Sequence, residues 1–354
     1  MKKIILAFIA MFGVAAFMPE ASAIPAFARQ TGFACSQCHQ QHYPVLNSFG
    51  QSFKASGYTI MGAQPKVEGD HLSLPATLNA AVLLKARYQK TGGEDTDVTG
   101  GTSTNSGQIQ MPDEFSLFFG GRVADSDTVK IGFMMENNLV GGPLGGIVAG
   151  FKMPFVFEQG GETRILVIPY LTDALGQAYG FEQSSTGMTR GIRWAEHRNE
   201  TSAAQYTGIG SGAASGIAFV ASNEMGYINL SRWSPQFAYA GGDTGVRMSS
   251  TWLRAAATPT LGEWAMHIGA GLSSGNSSCA DPLNLAGAGA TAHGTADCDT
   301  KGSVVDFQGH GMIGGKPAGV YVQYASAPAS ETGMANLFNA KTGTARTALT
   351  MGVD

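Results

Sequence analysis

The stretch WAMHIGAGL, residues Trp264–Leu272, alternates between two kinds of side chain. The residues of even number are apolar, and those of odd number are small or polar, with His267 the largest of them. Successive side chains of a β-strand point to opposite faces, so a period of two with one apolar face indicates a strand. The apolar row of this predicted strand is Trp264, Met266, Ile268, Ala270 and Leu272.

The same alternation recurs throughout residues 76–354. In one further run, Asp306, Gln308 and His310 share a parity opposite to that of Val305. The pattern therefore predicts a long series of strands. They are Leu78–Tyr88, Glu114–Val123, Val129–Glu136, Arg164–Tyr170, Gly216–Ser222, Gly226–Trp233, Val246–Ala257, Trp264–Leu272, Val304–Met312 and Ala318–Tyr324.

Two kinds of connection separate these strands. Some are short, such as Asp125–Asp127, whereas others far exceed the about 2 to 5 residues of ordinary hairpin loops. Short turns at one end and long loops at the other are typical of outer-membrane β-barrels. The long connections include Thr91–Gln108, Gly187–Gly212 and Ser273–Gly302.

Alternation alone does not separate a membrane barrel from a soluble β-sandwich, because the apolar face meets lipid in one and a core in the other. Composition favours the barrel. Charged residues make up 14% of the chain, against roughly 25% in a typical soluble domain, and the 49 glycines are about twice the usual share. Aromatic residues also recur near strand ends, as interfacial girdles would: Tyr88, Trp233, Trp252, Trp264 and Tyr324.

We therefore predict a mainly β fold, a transmembrane antiparallel β-barrel of about 14 to 16 strands. A soluble sandwich stays open as the alternative. The chain stops within an alternating run, TARTALTMGVD, and not on the terminal aromatic residue usual in bacterial barrels, so we expect a truncated C-terminus. The net charge of −4 is too small to indicate a nucleic-acid partner.

The first 23 residues have the features of a secretory signal. Lys2 and Lys3 form the charged start, Ile4–Met18 is apolar, and Ala21–Ala23 is a small-residue cleavage site. The apolar run is short for a spanning helix, which needs about 20 residues, so a retained membrane anchor is the less favoured interpretation. The predicted domains are the signal peptide 1–23, a short α-helical segment with a cofactor motif at 24–64, a linker 65–75 and the barrel 76–354.

The second of these domains contains Cys35-Ser-Gln-Cys38-His39. In c-type haem attachment, two thiols on one turn add to the vinyl groups and the following histidine binds the iron. A redox-active Cys-x-x-Cys would be expected in an α/β context, and structural zinc would need four ligands although no second Cys-x-x-Cys exists. The motif predicts one covalent haem c on Cys35, Cys38 and His39. Arg29 is either a partner for a haem propionate or a solvated charge.

The second axial ligand of the iron is open. Met61 would form a His/Met pair, which raises the reduction potential, but it serves equally well as a packing residue. His42 follows His39 by three positions, so on a helix it stays on the same side of the iron. His71 is a further candidate, and water is another. The barrel interior offers Met134, His267 and His310.

The remaining cysteines, Cys279 and Cys298, lie in one segment rich in Gly, Ala and Ser. An exported chain reaches an oxidising compartment, where paired thiols form disulfides. We therefore predict a disulfide that closes this loop.

The sequence PAFARQTGFACSQCH, followed by LNSFGQSFKASGY and a Gly-rich β region, resembles the outer-membrane porin–cytochrome fusions of iron-oxidising bacteria. The likeness extends over about Pro25–Tyr58, and beyond it is one of architecture only. The Arg-Gln-Thr-Gly lead-in makes it more specific than a bare Cys-x-x-Cys-His. The matching residues are Pro25, Phe27, Arg29, Gln30, Thr31, Gly32, Cys35, Cys38 and His39.

The resemblance implies a haem plug inside a barrel of the bacterial outer membrane. It also implies uptake of single electrons from an extracellular donor such as Fe(II), with a periplasmic cytochrome or copper protein as acceptor. The short C-terminus departs from the family pattern. Two alternatives stay open: a soluble periplasmic monohaem carrier with a β-sandwich, and a solute porin with a haem plug.

Overall fold

The computed structural model describes residues 25–40, 45–62, 64–70, 72–90, 107–140, 148–159, 162–188, 201–237, 247–279 and 296–354. The predicted signal peptide and the candidate ligands His42 and His71 lie outside these residues. The helices are α1 (Pro25–Thr31), α2 (Ser48–Ala55) and α3 (Ala203–Thr207), with 3-10 turns at Cys35–Gln37 and Gln177–Tyr179. The strands are β1 (Lys66–Gly69), β2 (Leu72–Pro75), β3 (Ala80–Gln89), β4 (Gln108–Asp125), β5 (Lys130–Val140), β6 (Gly150–Lys152), β7 (Phe155–Glu158), β8 (Arg164–Thr172), β9 (Ala214–Asn223), β10 (Gly226–Ser234), β11 (Ser250–Ala257), β12 (Thr260–Leu261), β13 (Trp264–Ser274), β14 (Asn276–Cys279), β15 (Ala296–Asp299), β16 (Gly302–Ile313), β17 (Lys316–Ala327), β18 (Ala335–Asn336) and β19 (Arg346–Val353).

One antiparallel sheet of 14 strands dominates the structure. From β3 to β19 its strands pair in chain order, with β6 and β7 sharing the place between β5 and β8 and with β12 pairing only to β13. The strands β14, β15 and β18 form a separate small sheet. The prediction of a mainly β, antiparallel fold is confirmed.

The two faces of this sheet have opposite character. In β13, Ile268 and Leu272 are 49% and 53% exposed, whereas His267 is fully buried. In β16, which pairs with β13, Val305 is 51% exposed and Asp306 is buried. The sheet therefore has an apolar outer face, which is exposed, and an inner face, which is buried and combines polar side chains with a hydrophobic cluster that includes Leu166 and Ile168 of β8. Further exposed apolar residues of the outer face are Leu84, Phe219, Ile228, Leu230, Leu253 and Met351.

The inner face also contains two tryptophans that were expected at a membrane interface. Trp252 shares the parity of Arg254, and Trp233 shares that of the other buried residues of β10, so both side chains are buried. The expectation was wrong for these two residues because closeness to a strand end does not determine which face a side chain occupies. Tyr88 and Tyr324 are exposed.

The connections of the large sheet alternate in length. The turns that follow β4, β7, β9, β11 and β16 are short, and the connections that follow β3, β5, β8, β10, β13 and β17 are long. Consecutive connections lie at opposite ends of an up-and-down sheet. The short turns therefore share one end, where β3 begins and β19 stops, and the long connections share the other.

Two stretches expected to lack strands contain them. The predicted linker 65–75 forms the hairpin β1–β2, in which Lys66 faces Pro75. The predicted loop Ser273–Gly302 contains β14 and β15, which pair with each other. The disulfide between Cys279 and Cys298 joins these two strands, and this cross-link favours their pairing because it holds them together.

Two segments pack against the inner face. We call them the N-terminal segment, which is the described part of residues 25–62, and the inner loop, residues 173–188. Helix α3 follows the inner loop further along the chain. Together these parts contact strands from β4 to β17, so the sheet curls around them. No helix in the described ranges is long and apolar enough to cross a membrane. The contacts include Phe27 with Gly120, Tyr179 with Lys152, Ser185 with Gln308 and Ala204 with Gln323.

Gly132 of β5 is where the N-terminal segment comes closest to the sheet, because a Cβ there would overlap the carbonyl oxygen of Gly57. We expect Gly132→Ala to loosen the segment at the cost typical of overpacking, about 1–3 kcal/mol. Trypsin cleavage after Lys54 should then accelerate by about five- to 150-fold, since cleavage follows the population of the open form. The control is Gly69→Ala, where the nearest atom lies 4.0 Å from the new Cβ. Equal cleavage rates in both variants would contradict this close packing.

Candidate functional site

Cys35 and Cys38 are held by one 3-10 turn, Cys35–Gln37. The amides of Cys38 and His39 both donate to the carbonyl of Cys35, at 3.1 and 3.0 Å. Both cysteines are partly exposed, and neither belongs to a disulfide. The turn thus presents two thiols and an imidazole as one unit, which is what c-type haem attachment needs.

The surroundings of Cys38 shift its acidity. Burial, and secondarily the nearby charge of Cys35, raise the pKa of the Cys38 thiol above its ordinary value. Addition of a thiol across a vinyl double bond uses both atoms of the S–H bond, so a protonated Cys38 is compatible with haem attachment.

His39 is oriented by the backbone. Its Nδ1 lies 3.2 Å from the carbonyl oxygen of Val45, a residue that is itself buried. With Nδ1 donating to this carbonyl, Nε2 is the nitrogen that can bind a metal, and ligating histidines usually donate their second N–H in this way. The residues present therefore fit a haem iron with His39 as its protein ligand.

Asn47 holds the motif against helix α2. Its Oδ1 accepts from the amide of Gly50 at 3.0 Å and so caps the helix. Its Nδ2 donates to the carbonyls of Gln37 at 3.0 Å and Ser36 at 3.3 Å, and its amide donates to Cys38 at 3.0 Å. Gly50 completes the fit, because a Cβ there would overlap the Cys38 carbonyl oxygen. An asparagine ahead of a helical stretch is a capping signal in the sequence. The sequence does not predict the second contact, in which Asn47 Nδ2 binds the carbonyls of Ser36 and Gln37.

Gln30 attaches the N-terminal segment to the sheet. This fully buried side chain donates from Nε2 to the carbonyls of Tyr58 at 2.6 Å and Ile60 at 2.9 Å. Its Oε1 accepts from Asn79 Nδ2 and from the amide of Arg122, both at 3.2 Å. Gln30 was noted only as part of the resemblance, and its structural role depends on residues far away in the sequence.

The candidate iron ligands and Arg29 occupy different surroundings. Met61 is half-buried and precedes Gly62, whose amide donates to the Gln30 carbonyl at 3.0 Å. This contact brings Met61 beside the end of α1, shortly before Cys35, and its role as distal ligand stays a prediction. Arg29 is exposed on α1, and its pairing with a propionate likewise stays a prediction. The interior candidates Met134, His267 and His310 lie on the sheet, with the two histidines buried.

The N-terminal segment also rests on the inner loop. Lys54 of α2 donates from Nζ to the carbonyl oxygen of Glu182. Gln183 donates from Nε2 to the carbonyl of Gln51 at 3.0 Å, and Ser185 Oγ accepts from the amide of Leu46 at 3.2 Å. The inner loop therefore supports helix α2, against which the motif packs, a role that the sequence did not reveal.

A buried ion cluster fixes the inner loop to the sheet. Arg254 Nε lies 2.5 Å from Glu182 Oε2, and Arg254 Nη1 lies 2.7 Å from Asp306 Oδ2. Tyr227 donates its hydroxyl to Glu182 Oε1 at 2.7 Å. Burial alone would raise the pKa of Glu182, but the charge of Arg254, together with His267, the Ser184 amide and the Tyr227 hydroxyl, holds that pKa below its ordinary value. Nearby, His267 Nδ1 lies 3.7 Å from Asp306 Oδ1.

In comparisons with known proteins, no family model, no curated protein and no solved structure matches the chain. Within the described part of the chain, no group of three or more His, Cys, Asp or Glu residues could hold a metal ion.

The buried ion cluster predicts that substitutions of Arg254 and Glu182 lower the stability of the protein by different amounts. Arg254→Met would leave two buried carboxylates without a cation and should lower the free energy of unfolding by about 3–5 kcal/mol. Glu182→Gln leaves Arg254 and Asp306 as a balanced ion pair, so it should lower the free energy of unfolding clearly less than Arg254→Met does. Denaturant titration followed by tryptophan fluorescence measures both, and an Arg254→Met variant as stable as Glu182→Gln would contradict charge compensation.

The same denaturant titrations, repeated at several pH values, test the role of the Glu182 charge. Because the folded-state pKa of Glu182 is lowered, its contribution to stability is present above the ordinary value of 4.5 and is lost as the pH falls through the folded value. That loss should be missing from Glu182→Gln.

Proposed function

We propose that the chain is a bacterial outer-membrane β-barrel that carries one haem c on Cys35, Cys38 and His39. It takes single electrons from an extracellular donor, for which we propose Fe(II), and passes them to a periplasmic cytochrome or copper protein. One observation carries the proposal. The Cys-x-x-Cys-His turn belongs to a segment anchored on the buried face of a sheet whose exposed face is apolar.

The apolar outer face supports a membrane location. A soluble β-sandwich would bury Leu253, Ile268 and Leu272 in its core, whereas here they are exposed. Contiguous apolar patches beyond a few hundred Å² are rare on soluble monomers. Strands β9, β13, β16 and β17 have 10, 11, 12 and 12 residues, and about 9 to 11 tilted residues cross a bilayer.

The connections support an orientation. Outer-membrane barrels have short periplasmic turns and longer extracellular loops. In this orientation, β3 begins and β19 stops on the periplasmic side, and the N-terminal segment enters the interior from there. The backbone groups of the edge strands β3 and β19 must be satisfied in lipid, which a barrel achieves by closure.

The N-terminal segment and the inner loop fill the interior, which favours an electron relay rather than a solute porin. The N-terminal segment and the inner loop meet through Lys54 and Glu182, Gln51 and Gln183, and Leu46 and Ser185. Such contacts oppose a continuous aqueous path for solutes. When bound, haem c supplies a one-electron couple. Because Fe(III) products are poorly soluble, an Fe(II) oxidant has reason to act outside the cell.

Haem attachment is tested by haem staining of membrane fractions from the wild type and from a Cys35→Ala, Cys38→Ala variant. We expect a stained band that requires detergent for extraction in the wild type and no stain in the variant, since no thioether can form. The control variant, Cys279→Ala with Cys298→Ala, should keep the stain, because the disulfide that it removes joins β14 and β15 and takes no part in the haem motif. Extraction without detergent would support the soluble carrier.

The donor is tested in the same material by absorbance. Fe(II) should reduce the haem to the extent that dithionite does. Reduction by dithionite alone would contradict Fe(II) as donor while leaving the cytochrome assignment in place.

The membrane location makes a separate prediction for the outer face. Leu253→Lys should lower the free energy of unfolding in lipid vesicles by about 2–4 kcal/mol, the cost of a cation on the lipid face near the midplane. Met225→Lys, in the exposed turn between β9 and β10, is the matched control and should stay within about 0.5 kcal/mol of the wild type. Equal effects of the two substitutions would argue against lipid on this face.

A further inference from the structure

Lys152 of β6 has a buried side chain on the inner face, with 4% of its surface exposed. Its Nζ donates to the carbonyl oxygen of Tyr179 at 3.1 Å. The same atom lies 4.3 Å from the centre of the Tyr179 ring and 5.9 Å from that of Tyr58. Lys152 thus sits where the inner loop and the N-terminal segment meet.

Lys54 supplies a second lysine side chain at this junction. It lies one helical turn after Gly50, which packs on the Cys38 carbonyl, so both residues share the face of α2 that meets the motif. Burial lowers the pKa of Lys54 to about 8, and the charge of Glu182 only partly offsets this effect. The ammonium groups of Lys54 and Lys152 are close enough to repel each other.

Neither lysine forms an ion pair with another described residue, and their hydrogen bonds go to backbone carbonyls. The Glu182 carboxylate, whose charge acts on Lys54, is itself bound by Arg254. On β5, Met134 lies across from Lys152, and Glu136 lies across from Gly150 on the same face.

Two buried lysine side chains, neither in an ion pair with a described residue, are costly to keep charged. The junction is therefore suited to an anionic ligand with two negative groups. A haem has two propionate carboxylates on the edge of the ring opposite its vinyl groups, and the thiols that attach to the vinyl groups lie on the turn that packs against α2. Arg29, one candidate partner in the sequence, is exposed, so water would compete with it for the same carboxylates.

We propose that Lys54 and Lys152 bind the propionate carboxylates of the haem held by Cys35, Cys38 and His39. This inference rests on the proposed function. The two lysines have a positioning role: they fix the propionate edge within the interior and keep its carboxylates ionised. Without them, a buried carboxylate takes up a proton near neutral pH.

The test is the midpoint potential of the detergent-purified holoprotein between pH 5.5 and 8.5, measured for Lys152→Met. Loss of a buried cation favours the oxidised form, so we expect the ratio of oxidised to reduced protein at fixed potential to rise at least tenfold, about 59 mV for one electron. The potential should also become pH-dependent as an unpaired propionate titrates. Lys152→Arg should restore both properties.

The control is Lys130→Met, at the exposed start of β5, where Lys130 pairs with Glu158. A Lys152→Met profile identical to that of Lys130→Met would overturn the inference. If Lys152→Met does not fold, Lys54→Met gives the same readout, since its Nζ partner is only a carbonyl. Absence of haem from every variant would contradict the proposed function itself. A normal haem content with an unchanged midpoint potential in Lys152→Met would contradict only the role of the lysines.

Discussion

The guanidinium of Arg254, held between Glu182 and Asp306, is the interaction on which the interior depends. It joins strand β11, strand β16 and the inner loop, which are far apart in sequence. Polar groups on a buried face are stable only when they are paired, so the buried polar side chains of the inner face need material that supplies partners. The inner loop and the N-terminal segment are that material.

This arrangement explains how so short a motif-bearing segment folds. The described part of residues 25–62 contains two short helices and one aromatic cluster, Phe27, Phe53 and Tyr58. Gln30 binds the sheet through Asn79 and Arg122, and helix α2 rests on the inner loop. The Cys35–His39 turn is thus held from within the segment, and the rest of the chain holds the segment in place.

Local patterns in the sequence predicted the features that depend on local rules. Alternation over Trp264–Leu272 predicted β13 together with its two faces, and the spacing of Cys35, Cys38 and His39 predicted their shared turn. The inner loop escaped prediction because its burial follows from contacts with strands on both sides of it in the chain. The inward position of Trp252 and the burial of Lys152 were not predictable for a related reason. Tertiary packing determines which face of each strand is buried.

The site was likewise predictable only in part. The three motif residues are recognisable from their order alone, whereas the second contact of Asn47 and the partners of Gln30 require the folded chain. Arg29 stays a predicted propionate partner on its place beside the motif. The burial of Lys54 and Lys152 could not be predicted in the same way, because it follows from contacts with the inner loop.

The central claim, that the chain conducts single electrons across a membrane, is tested most directly in sealed lipid vesicles. Holoprotein would be reconstituted into vesicles that enclose an oxidised c-type cytochrome, and Fe(II) would be added outside while a trapped dye reports that the vesicles stay intact. The account predicts reduction of the enclosed cytochrome only in vesicles that contain haem-loaded protein. Oxidised enclosed cytochrome in intact vesicles, with the protein's own haem fully reduced, would contradict it.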